Sequence, residues 1–131
     1  MSRPSKPTEA ELELLRSLWE LGPSTVRHIK EHLDQKKSAQ QKEVGYTTVL
    51  KLLQIMTDKG LVTRDESARS HIYSAAYPQE STQRQLVGDL LEKAFAGSAT
   101  KLVLQALSAK PASAEELADI RALLDDLEDQ S

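Results

Sequence analysis

Residues 46–64 read YTTVLKLLQIMTDKGLVTR. On a helical wheel of ~100° per residue, Val49, Leu52, Leu53 and Met56 fall on one face. Thr47, Lys51, Gln54 and Asp58 fall on the opposite face with Thr48 on its flank, and Leu50 and Ile55 lie at the edges of the apolar face. Gly45-Tyr46-Thr47 introduces this helix and Gly60 ends it, because glycine enters the left-handed conformation of a helix C-cap without a Cβ penalty. Past Gly60 the period changes. Leu61-Val62-Thr63-Arg64 and His71-Ile72-Tyr73-Ser74 are short runs with β-branched or aromatic members, separated by Asp65-Glu66-Ser67-Ala68-Arg69-Ser70, which predicts a small β-hairpin.

Upstream, Thr8 and Glu11 form the Thr-x-x-Glu capping box of a first helix, whose apolar positions are Leu12, Leu15, Leu18 and Trp19, with Leu14 beside them. Gly22-Pro23 stops that helix, since proline cannot continue the ladder. Ser24 is the expected N-cap of a second helix with Val26, Ile29 and Leu33 on its apolar face. Residues 34–44 (DQKKSAQQKEV) lack an apolar period and carry Lys36, Lys37 and Lys42, which predicts a solvated loop. Three helices followed by a hairpin are the plan of a winged helix-turn-helix, assigned to residues 1–77.

Downstream of Pro78 the pattern is helical to the end. Leu86, Leu90, Leu91 and Phe95 stripe a fourth helix closed by Gly97. A fifth, about 98–109, holds Leu102, Val103, Leu104 and Leu107, and Pro111 breaks it. Ser113 and Glu116 box the start of a sixth, with Leu117, Ile120, Leu123, Leu124 and Leu127 near an a/d seam. Three short helices bury too little surface to make a core alone. Residues 78–131 are therefore expected to be a helical dimerisation domain, with Leu86, Leu90, Leu91, Phe95, Leu102, Leu107, Leu117, Ile120, Leu124 and Leu127 as interface candidates. The fold class is mainly α: an N-terminal winged helix-turn-helix followed by a three-helix dimerisation region.

Composition narrows the function. The chain has 131 residues, 39 % apolar and 28 % charged, which is globular composition. Without cysteine it has no disulfide, thiolate metal site or cysteine nucleophile. No apolar run reaches the ~20 residues of a membrane span, and Met-Ser-Arg-Pro-Ser-Lys-Pro is no secretory signal, so a cytoplasmic protein without membrane insertion is expected. The net charge of −3 is uneven: residues 1–75 carry 12 Lys/Arg against 10 Asp/Glu, and residues 76–131 carry 5 against 10. A local patch, not the sum, sets the field that a polyanion meets. There is no glycine-rich phosphate loop and no nucleophile elbow, so neither an enzyme nor a cofactor is expected.

The order and spacing of Thr8-Glu9-Ala10-Glu11-Leu12-Glu13, Leu18-Trp19, Gly22-Pro23-Ser24-Thr25-Val26-Arg27, Tyr46-Thr47-Thr48-Val49, Lys59-Gly60-Leu61-Val62, Arg69 and Tyr73 resemble the penicillinase repressor family, which includes the methicillin-resistance and copper-responsive repressors. The resemblance implies a homodimeric transcriptional repressor whose winged helix reads a dyad-symmetric operator in double-stranded DNA. It also implies, for some members, release by a membrane sensor protease that cuts an Asn-Phe bond in the fifth helix. Here the matching stretch is Leu102-Val103-Leu104-Gln105-Ala106, without that dipeptide, and the C-terminal cysteine motif of the copper-responsive members is also missing.

A recognition helix reads base edges from its N-terminal half. Thr47, Thr48, Lys51 and Gln54 are therefore the base-reading candidates: Lys51 for guanine O6/N7, Gln54 for adenine, threonine for a hydroxyl contact or a thymine methyl. Asp58 on the same face would be repelled by phosphate, so only the first two turns are expected in the groove. Ser24, Arg27, Lys30, Tyr46, Arg64 and Arg69 are candidates for the DNA backbone, with His71 a further wing residue. Such contacts position the protein and specify no sequence. The plain alternative for each is an exposed polar surface. A protein-interaction module without specific DNA binding is the competing class, which an apolar third-helix face would favour. His28-Ile29-Lys30-Glu31-His32 matches the H-x-x-E-H pattern of a zinc protease, but without a surrounding catalytic domain the histidines read as an exposed helix face, and no metal is expected.

Overall fold

The computed structural model describes residues 5–37 and 43–131, so Lys42 and the middle of the polar loop lie outside the described residues. The elements in order are α1 (Glu9–Leu21), α2 (Val26–Lys36), α3 (Tyr46–Lys59), β1 (Val62–Asp65), β2 (Ile72–Ala75), α4 (Gln79–Phe95), α5 (Ala99–Ala109) and α6 (Ala114–Asp129). The chain falls into two compact units, residues 1–86 and 87–131.

In the first unit α1, α2, α3 and the hairpin enclose one apolar core of Leu14, Leu15, Leu18, Val26, Ile29, Leu33, Val49, Leu53, Met56, Leu61, Val62 and Tyr73. The expected apolar set of α1 shifts by part of a turn: Leu14 is at the centre, and Leu12 is only half-buried. α2 runs on through Asp34, Gln35 and Lys36, three residues expected in the loop, and Lys30 at its middle bonds Asp34 (2.6 Å) one turn on and Glu43 (2.8 Å) ahead of α3.

The hairpin is antiparallel with Val62 opposite Ala75 and Arg64 opposite Tyr73, one residue later in both strands than the sequence suggested. It is pinned to the α1–α2 turn. The Ser24 N–H donates to the Tyr73 carbonyl (3.0 Å), and the Tyr73 N–H donates back to Ser24 (2.8 Å). This exchange corrects the cap of α2. Ser24 is buried, extended and bonded through its hydroxyl to the Gly22 carbonyl (2.8 Å), and Thr25 caps the helix by accepting from the His28 N–H (3.2 Å). Gly22 takes φ 81°, ψ −167°, a region essentially reserved for glycine, which lets α1 end and the chain turn at once into this bridge.

Glu11 does two jobs. Its carboxylate accepts from the Thr8 N–H (2.9 Å), completing the capping box, and both its oxygens accept from Lys59 Nζ (2.8 and 2.9 Å) at the far end of α3. Burial pushes this carboxyl up, and the Lys59 ammonium with the Thr8 N–H outweighs it, so Glu11 sits below its ordinary value of 4.5. A carboxyl depressed in the folded state adds stability that is complete above 4.5 and is lost as pH falls through the lower, folded value. Lys59→Met leaves a buried carboxylate without its cation and is expected to cost about 1–2 kcal/mol at neutral pH, toward the low end because Lys59 is one-third exposed. Urea midpoints should show this loss at pH 7 and a smaller one once Glu11 is protonated. An equal loss at both pH values would contradict the pairing.

In the second unit α5 and α6 start as expected, on Ser98 and on the Ser113/Glu116 capping box. No residue of 87–131 is buried. Leu91, Phe95, Leu102, Leu107, Leu117 and Ile120 are half-buried, and Leu90, Leu124 and Leu127 are exposed. Val87, Val103, Leu104 and Leu123 are exposed as well, with Leu104 at 60 %. Of the remaining interface candidates, Leu86, at the end of the first unit, is half-buried. Among the described residues no helix is long and apolar enough to cross a membrane.

Candidate nucleic-acid interface

α3 owes its position to its apolar side. Val49, Leu53 and Met56 are fully buried, Gly60 closes the helix in the left-handed conformation (φ 80°, ψ 15°), and Leu61 and Val62 carry the chain back into the core. The opposite face is thereby turned outward. Thr47, Thr48, Lys51 and Gln54 are all exposed, and among the described residues no hydrogen bond or ion pair engages any of them. Ile55 is 42 % exposed on this same face, where the sequence had placed it at the core edge. Its wheel position, one turn from Lys51 and two from Thr48, was the available signal, and its apolar tip suits a thymine methyl.

Three backbone candidates come together. Arg27, Tyr46 and Arg69 line one cleft of about 560 Å³ with Thr25, His28, Leu50, Ser70, His71 and Tyr73. Arg27 also bonds Glu31 (3.2 Å), but both side chains are more than half exposed and easily part.

The other three do not join them. Ser24 is buried with its hydroxyl occupied, so it presents nothing to a phosphate. Lys30 is held between Asp34 and Glu43, which raise its pKa and fasten α2 to the entry of α3. Arg64 lies against the phenol of Tyr73, and Glu66 accepts from it at 2.7 Å; the two hold its pKa above the ordinary guanidinium value.

The H-x-x-E-H histidines separate. His32, expected on an exposed face, is packed against α1: Nε2 meets Glu20 Oε2 at 2.6 Å and Nδ1 meets Ser17 Oγ at 2.9 Å. The carboxylate has no proton to give, so Nε2–H donates there, and in the neutral ring Nδ1 accepts from the buried Ser17 hydroxyl. Lys36, first, and then His32 hold the Glu20 carboxyl below its usual range. With both His32 nitrogens engaged the pair cannot close on one metal, and no group of three or more His, Cys, Asp or Glu among the described residues could hold an ion.

Two solved structures share this fold. The DNA-binding domain of the repressor BlaI superposes with a TM-score of 0.50 at 16 % identity, covering 62 % of this chain and 93 % of that one. A MarR family protein from Bacillus stearothermophilus superposes with a TM-score of 0.50 at 17 % identity, covering 96 % and 76 %. The Bacillus licheniformis BlaI monomer in complex with the blaP half-operator gives 0.49 at 16 % identity over 62 % and 93 %. No curated protein matches the sequence. The penicillinase repressor model matches residues 7–126, nearly the whole chain. With a winged helix whose third helix turns an unengaged polar face outward, the chain belongs to the penicillinase repressor family of DNA-binding transcriptional repressors.

Proposed function

We propose that the protein is a homodimeric repressor that binds a dyad-symmetric operator, with residues 1–77 as the DNA-binding domain and 78–131 as the dimerisation domain. α3 enters the major groove and the wing lies along the backbone. The observation that carries this reading is the contrast on the first unit's surface: Lys30 and Arg64 are held in ion pairs, while Thr47, Thr48, Lys51 and Gln54 have no partner among the described residues. A face that spends its polar groups on nothing within the fold is free to spend them on base edges. It also disfavours the protein-interaction module, whose third helix would present a mainly apolar surface.

Dimerisation is supported by the second unit, where seven large apolar side chains are exposed over 87–131 and none is buried. A second copy gives them a partner. In a two-fold dimer the two α3 helices meet half-sites separated by one helical turn, about 34–36 Å, or a multiple of it. Such a repressor works in the cytoplasm, where its operator lies. Repeated selection from a random duplex library tests the reading: the recovered sequences are expected to share an inverted repeat. Recovery of unrelated sequences would remove specific operator binding.

A further inference from the structure

The cleft lined by Arg27, Tyr46 and Arg69 contains two histidines as well. His28 comes from the first turn of α2 and His71 from the wing's connecting loop, just before β2, and both are exposed. The lining includes no aspartate or glutamate: its ionisable members are Arg27, His28, Tyr46, Arg69, His71 and Tyr73. Two acids bond close by: Glu31 bonds Arg27 from the next turn of α2, and Glu66 faces Arg64 on the wing. The third histidine of the chain, His32, is outside the cleft with both ring nitrogens engaged on α1.

We infer that this cleft seats DNA phosphates and that His28 and His71 set its charge, so that DNA affinity rises as pH falls through the imidazole range. The inference rests on the DNA-binding function proposed above. Histidine is the side chain whose charge ordinarily changes between about pH 5 and 8. At the upper end the cleft offers the two guanidinium groups of Arg27 and Arg69. Each imidazole that takes up a proton adds a cation to these, able to donate to a phosphate oxygen. A polyanion favours the protonated rings, so binding takes up protons. Each phosphate newly neutralised releases counterions and steepens the log–log salt dependence by about 0.9. Side chains on two elements, the α2 helix and the wing, thus act on one stretch of backbone beside the groove that α3 reads.

The full chain is titrated with a fluorescent mixed-sequence duplex at about pH 6 and about pH 8, each across about 50–200 mM salt. The salt slope is expected to be steeper by about 1–2 at the lower pH. In the His28→Gln/His71→Gln variant the two slopes should coincide, and the single variants should each remove part of the difference. All should melt with the natural protein at the higher pH, since both rings are exposed. A pH dependence that persists in the double variant, or is missing from the natural protein, would overturn the inference while leaving DNA binding in place. No binding at either pH would instead overturn the DNA-binding function, and this inference with it.

Discussion

Replacing Leu104 and Leu124 together by glutamate is expected to turn a dimer into a monomer and to weaken binding to a two-half-site DNA by about 10²–10⁴-fold. Leu104 on α5 and Leu124 on α6 are 60 % and 52 % exposed in the single chain, so a charge at either position costs that chain little. In a dimer that covers them, the same charge is buried without a partner, which is strongly unfavourable. The affinity loss follows from linkage. A dimer places its second winged helix at high effective concentration once the first has bound, and a monomer forfeits that advantage. Sedimentation at micromolar concentration reads the first effect and titration with the selected operator the second. The buried core of the first unit includes no residue beyond Leu86, so its melting should be unchanged. A variant that stays dimeric would place the interface elsewhere.

Lys51→Ala is expected to cost about 1–3 kcal/mol of operator affinity and to relax the base preference at one position of each half-site. Lys51 is the cation at the centre of the exposed face of α3, between the threonines and Gln54, and nothing among the described residues holds its ammonium. It is exposed, so the fold should lose almost nothing. The pattern across sequences distinguishes the two roles open to it. A base reader loses affinity mainly for the operator. A phosphate contact weakens all sequences alike and lowers the salt slope by about 1. Equal binding of variant and natural protein to every DNA would remove Lys51 from the interface.

The elements that position this site were legible because each rests on local chemistry. The 3.6-residue period of Val49, Leu53 and Met56, the Gly60 stop and the switch to β-branched runs after it placed α3 and the wing. The capping boxes at Thr8 and Ser113 marked two helix starts to the residue. What escaped was decided across the chain. Ser24 and Thr25 are both good N-caps, and the strand-like exchange with Tyr73, 49 positions away, gives the role to Thr25. Glu11 reads as a capping residue, and nothing nearby announces its bond to Lys59. His28 and His32 share a helix face in any wheel diagram, and only the packing of α1 on α2 withdraws one and leaves the other beside the wing. Lys30 and Arg64 show the limit for charged candidates: a sequence displays the cation and not the carboxylate that holds it.

The proposed function requires two copies of α3 to read a two-fold operator. The most direct measurement is a footprint of the purified protein on a genomic fragment library at near-physiological salt. The expected result is protection of an inverted repeat whose half-site centres lie one helical turn, about 10–10.5 bp, or a multiple of it apart. Weak protection spread evenly over all fragments would contradict it.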